Sequence, residues 1–288
     1  MPTRCPEKSV NIARSLIAKT GNHFCGLRAN GGEMTETATE ERHRPSYRED
    51  EKKHPYFRPR DAATLIIIDR DHPTPKVLVG KRHDKVVFMP SAFVFPGGRV
   101  DPKDNRVPVA DKIPTELEAR LLEGSPKISP ARARALAITA IREACEETGL
   151  CIGRKVDGHD SHLPKLTGGW QPFADAGLLP DPSSLFLIAR AITPPGRVKR
   201  FDTRFFTADA SAITHRVPGV IHADAELVEL VWVEIDAKPL AAMHPMTVQV
   251  LGQLRKRLAN GPLRHDAPIP FFHFYDGKMQ TDMLPGNA

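Results

Sequence analysis

No uninterrupted apolar run in the 288-residue chain approaches the roughly 20 residues that a membrane-crossing helix requires. A transmembrane helix is therefore excluded. Nor does any block of Lys and Arg stand out as a nucleic-acid tail: 41 basic against 35 acidic residues give a net charge of +6, modest for this length. That balance suits a small polyanionic ligand and gives no reason to expect a nucleic-acid partner. The four cysteines, Cys5, Cys25, Cys145 and Cys151, have none of the C-x-x-C or Cys/His spacings of a zinc site, so a reducing cytoplasm is the simplest compartment. The stretch Ile12 to Ala18, flanked by Arg4, Lys8, Arg14 and Lys19, is too polar for a secretory leader, which leaves an organelle-targeting leader as the alternative. His215 and His222 have no second histidine at ligand spacing and read as structural hydrogen-bonding groups. There is no internal repeat.

Residues 1–58 contain few large apolar side chains, a Gly-Gly pair at 31 and 32 and a charged run from Glu40 to Lys53, too little to offset the entropy of ordering. The expectation is a mobile tail over 1–58 and a folded domain over 59–288. Met34 is a second candidate start. The β-branched run Ala62 to Ile68, turn chemistry over Asp69 to Pro75 and the strand Lys76 to Val79 predict a hairpin. A third strand, Ala92 to Phe95, leads into a Pro96-Gly97-Gly98 turn, where two glycines permit positive φ and close backbone approach to a ligand.

The strongest helix begins at Ser129-Pro130, an N-cap followed by proline, and closes at Gly149. Ala137, Ile141, Ala144 and Thr148, with Ala140 beside them, share one stripe that should pack on a sheet. Leu185 to Ile192, Thr203 to Thr207 and Leu227 to Val233 read as strands, and Met246 to Leu258 as a helix. The Gly- and Pro-rich segment from Asp157 to Ser184 carries Trp170, Phe173 and Leu178, which makes it a packed loop.

Glu143, Glu146 and Glu147 stand at i, i+3 and i+4, so their carboxylates project along one side of that helix. Solvated glutamate-rich faces are common, but these three adjoin a buried stripe, where divalent cations would relieve their repulsion. Arg142 can pair with Glu146 one turn on. The string Phe95-Pro96-Gly97-Gly98, Asp104 after five further residues, and then Arg142-Glu143-Ala144-Cys145-Glu146-Glu147-Thr148-Gly149-Leu150 resembles the Nudix signature G-x5-E-x7-R-E-U-x-E-E-x-G-U. Asp104 stands where that signature has glutamate, and 37 residues (105–141) replace the usual seven. Loop closure costs only about 0.6 kcal/mol per doubling of length, so the two halves can still meet.

Phe88 to Gly98, Phe173 to Leu179 and Arg200 to Phe206 are similar to the split-box Nudix branch that includes peroxisomal coenzyme A diphosphatases, over roughly residues 61–260. The resemblance implies an α/β/α sandwich with a mixed sheet, an insertion over about 105–129, and hydrolysis of a small-molecule diphosphate with Mg2+ or Mn2+. The substrate would be a coenzyme A ester, a dinucleotide or a nucleotide sugar. By the same resemblance Glu143, Glu146 and Glu147 hold the ions with the Gly97 carbonyl, and Arg142 positions a glutamate. Glu147, Asp224, Glu226 and Glu229 remain alternative general bases. Arg197, Lys199, Arg200 and Arg204 form the densest basic group, either gripping substrate phosphates or protecting a strand edge. In the insertion, Thr115-x-x-Glu118 predicts a capping box and a short helix through Leu122, to cover the site or to make a homodimer contact. Two other readings of the same scaffold are a non-catalytic nucleotide-binding module and an isomerase, for which Cys145 and Cys151 are poor catalytic candidates.

Overall fold

The computed structural model describes residues 55, 57–123, 125, 128–156, 166–197 and 199–284, all within the unit Pro45–Ala288. The tail expected over 1–58, apart from 55, 57 and 58, lies outside the described residues, as do Met34, Cys5 and Cys25.

The predicted hairpin is present. β1 (Arg60–Asp69) and β2 (Lys76–Arg82) are antiparallel, with Ile68 opposite Val77 and Asp69 opposite Lys76. β3 (Phe93–Val94) adds to β2, and β4 (Gly97–Arg99) adds to β1 with Thr64 opposite Gly97. The expected glycine turn is corrected here, since Gly97 and Gly98 lie in a strand and neither uses the positive φ that glycine permits. The glycines are needed for close approach instead: a Cβ on Gly97 would meet Ala63 O at 2.6 Å.

The insertion supplies helix α1 (Thr115–Leu122). Pro114, with no side-chain cap bond, is its N-cap, so Thr115 lies inside the helix and the capping box does not form. Helix α2 (Pro130–Thr148) follows as predicted: Ser129 accepts a bond from the Arg132 N–H, and Gly149 closes the helix at φ 74°. β5 (Leu150–Lys155), helix α3 (Gln171–Asp175), β6 (Leu178–Pro180), β7 (Phe186–Ile192), β8 (Phe201–Asp209), β9 (Ile213–Arg216) and β10 (Leu227–Glu234) come next. Helix α4 (Pro245–Ala259) and the hairpin β11 (Ile269–Tyr275) and β12 (Lys278–Leu284) complete the described elements.

The large sheet runs β10-β2-β1-β8-β7-β11-β12, with β8 parallel to β1 and antiparallel to β7. It is a mixed sheet, with a smaller sheet β6-β5-β9 beside it. Alternation along β1 explains its unbroken apolar run. Leu65 and Ile67 enter one core with Ile138 and Ile141 of α2, while Ile66 and Ile68 enter another with Val250 and Leu254 of α4. Burying each such side chain contributes about 1.5–3 kcal/mol, so both faces are firmly covered. The insertion joins the α2 side, where Leu117 and Leu121 are buried. Cys145 and Cys151 form a disulfide between the end of α2 and β5, a bond that a reducing-compartment reading does not anticipate. No helix among the described residues is long and apolar enough to cross a membrane.

Candidate active site

Helix α2 presents its glutamates where β4 crosses it. Glu147 accepts a 2.9 Å bond from the Gly97 N–H, and Glu143 lies so close to Gly98 that a Cβ there would stand 2.6 Å from its carboxylate. The glycine strand thus lets backbone and carboxylates share one space. Burial, reinforced by the charges of Glu226 and Glu143, holds the Glu147 carboxyl well above its ordinary range, against the opposing Gly97 bond and Arg82 charge. For Glu143, burial outweighs the neighbouring Arg142, and the negative charges of Glu146 and Glu226 help push its pKa up to about 7.

Asp104 explains how the split motif is closed. Its carboxylate is buried and accepts bonds from Arg142 Nε at 3.1 Å, Thr139 Oγ1 at 2.7 Å and Trp170 Nε1 at 3.2 Å. The shorter acid therefore acts as an anchor for Arg142, which also donates to Arg99 O at 3.0 Å. Burial opposes the guanidinium charge, yet the bonds to Asp104 and the glutamate charges prevail and raise its pKa. From this fixed point Arg142 reaches Glu143 at 2.9 Å and Glu146 at 2.6 Å.

Glu226 is the member of the three distant acids that the structure brings to the cluster. Arg82 holds it at 2.9 Å, and both residues line a cleft of about 1290 Å3 with Glu143, Glu147, Gly97 and Gly98. Asp224 and Glu229 do not line that cleft and are exposed. Of the predicted basic group, Arg197, Lys199 and Arg200 line the cleft, although Arg200 is buried and bonds to Thr193 O and Phe57 O. Arg204 is not brought there. Alternation along β8 turns Thr203 and Phe205 toward the cleft and Arg204 away from it, where it pairs with Asp202 and bonds to Ser125. No described residue of the insertion lines this cleft, whereas Asn105 and Ser129 line a second hollow with Arg142 and Glu143. Arg82, Thr139 and Trp170 escaped sequence reasoning because their partners lie 144, 35 and 66 residues away.

Among the described residues, no three His, Cys, Asp or Glu side chains converge into a ready metal cage. Glu146 is drawn instead to Arg142. The donor chemistry nevertheless fits a hard divalent cation, which prefers oxygen ligands: Glu147 is buried and Glu143 part-buried, and the charge of each is opposed by burial and by Glu226. His222 accepts a local bond from the Asp224 N–H, a structural role.

No protein-family model matches the chain, and no curated protein does. Solved structures that it resembles include a Nudix hydrolase from Alicyclobacillus acidocaldarius, at 26% identity over 68% of this chain and 90% of that one, TM-score 0.46. Others are the NUDIX domain of Shewanella oneidensis NrtR complexed with ADP ribose (13% identity, 70% and 90%, TM-score 0.37) and a C. elegans Ap4A hydrolase binary complex (13%, 69% and 99%, TM-score 0.35).

Proposed function

We propose that the protein is a Nudix-type pyrophosphohydrolase that uses Mg2+ or Mn2+ to cleave a nucleoside diphosphate linked to a second group. One observation carries this reading: the buried Glu147 and the part-buried Glu143 stand one turn apart against the glycine strand, with Glu226 adding a third negative charge, in the lining of a large cleft. Like charges so placed oppose folding unless a cation or proton neutralises them.

Glu143, Glu146 and Glu147, with the Gly97 carbonyl, would hold the cation. A bound divalent ion supplies Lewis acidity toward the diphosphate oxygens and the attacking water. Arg142, tied to Asp104, fixes the directions of Glu143 and Glu146. Glu226, which Arg82 holds at the cleft, would take the proton from water as its oxygen attacks one phosphorus and the bridging P–O bond breaks. Arg197 and Lys199 meet the diphosphate charge from the β7 to β8 loop, and a monophosphate leaves. Coenzyme A esters, dinucleotides and nucleotide sugars are the substrate classes to compare. The domain is assigned to residues 59–288.

Purified protein assayed with Mg2+ on that panel, beside Glu146→Gln and Glu147→Gln, tests the reading. Turnover of at least one substrate by the wild type and a loss of a hundredfold or more in Glu147→Gln are expected. Equal activity in all three proteins removes these residues from catalysis, and tight nucleotide binding without turnover favours a non-catalytic module.

A further inference from the structure

Besides the carboxylates and the basic side chains, the cleft lining includes a set of large apolar residues. Phe88, Phe201, Phe274 and Met279 line the same space, with Phe57 and Val87 beside them. They come from four separate parts of the fold, and the backbone sets each in place. Phe201 begins β8, whose odd-numbered residues Thr203 and Phe205 also line the cleft. Phe274 and Met279 are directly opposed partners across the β11 to β12 hairpin, so they present one surface together. Phe88 packs edge to face on Phe201 with ring centres 5.7 Å apart, and its carbonyl accepts a 3.0 Å bond from Arg82, the residue that also holds Glu226. Just beyond it Met89 and Ser91 have φ of 53° and 59°, a conformation costly for residues other than glycine and frequent where a loop is fixed for binding.

Exposure sharpens the contrast. Phe57, Val87 and Met279 are 47%, 68% and 45% exposed, and they are three of the five large hydrophobic side chains that stand out as exposed among the described residues. Isolated exposed apolar groups mean little, but three that line one cleft mark a binding surface. The volume decides what can lie there: about 1290 Å3 exceeds the roughly 300–1,000 Å3 of ordinary ligand pockets, so the cleft has room beyond a diphosphate and one nucleoside.

We propose that the group joined to the diphosphate carries an apolar arm, aliphatic or aromatic, which lies on the wall of Phe88, Phe201, Phe274 and Met279. This inference rests on the pyrophosphohydrolase reading for the position of the diphosphate. The wall selects substrates by the surface they remove from water, while the carboxylates act on the phosphoanhydride common to all of them. Compact polar second groups, sugars among them, are disfavoured because they leave the wall wet.

Adenosine methylenediphosphonates esterified with methyl, hexyl or naphthylmethyl groups test this by calorimetry on the full chain with Mg2+. The hexyl or naphthylmethyl analogue is expected to bind at least about tenfold tighter than the methyl one. Met279→Asp cuts that preference at least about threefold, whereas Met283→Asp, on the same strand but outside the cleft lining, leaves it unchanged. Equal affinity for all three analogues, no binding of any, or an undiminished preference in Met279→Asp overturns the apolar wall. If the preference is present but the matching true diphosphates are not hydrolysed, the enzymatic reading fails and the wall stands. The hexyl and naphthylmethyl results separate an aliphatic arm from an aromatic one.

Discussion

Replacing Glu143 by glutamine should make the metal-free protein more stable at pH 8. In the folded state the Glu143 pKa rises from 4.5 to about 7, chiefly through burial, and only 14% of its side chain is exposed to screening water. The folded form therefore binds more protons than the unfolded chain between those values. Stability from this group is fully present below pH 4.5 and is lost as pH rises to about 7. At about 1.4 kcal/mol per pH unit, the loss is about 3 kcal/mol by pH 8. Glu143→Gln keeps the neutral shape and removes the loss. Urea denaturation in chelator at pH 5 and pH 8 measures it: the variant should be close to wild type at pH 5 and more stable by up to about 3 kcal/mol at pH 8. Adding Mg2+ should reverse the order at pH 8 by stabilising the wild type. A variant that is equally destabilised at both pH values refutes the argument from a charge whose burial outweighs its pairing with Arg142.

Asp104→Ala strands the buried Arg142 without its main partner, so a loss of about 3–5 kcal/mol in denaturant and a large drop in turnover are expected. Asp104→Glu, which retains the charge, should lose less in both measurements. Gly98→Ala meets the flexible end of Glu143, so thermal melting should stay within about 1 kcal/mol of wild type while Mg2+ affinity falls tenfold or more. A Gly98→Ala protein with normal Mg2+ affinity would place the ion elsewhere.

The elements that could be read from sequence are those specified by local chemistry. Ser129-Pro130 and Gly149 set the ends of α2, and its alanine and isoleucine stripe revealed which face is buried. The Glu143, Glu146 and Glu147 spacing was equally plain, being a property of one helix. The Pro96-Gly97-Gly98 segment misled because its strand geometry depends on β1 lying alongside, which is not local information. Arg204 was grouped with Arg197 and Arg200 by proximity in sequence, yet the period of a strand sends it to the opposite face. The β11 to β12 hairpin carries a local signal, Asp276-Gly277, which with φ of 48° and 71° forms its two-residue turn. Asp104 and Trp170 could not be paired in advance, since only the folded chain brings their side chains to 3.2 Å.

Crystals soaked in Mn2+ and measured at the manganese absorption edge give the most direct test of the central claim. An anomalous peak within about 2.6 Å of carboxylate oxygens of Glu143 and Glu147, beside Gly97, is the predicted result. Full Mn2+ occupancy at some other place, with those two side chains unchanged and unliganded, would contradict it.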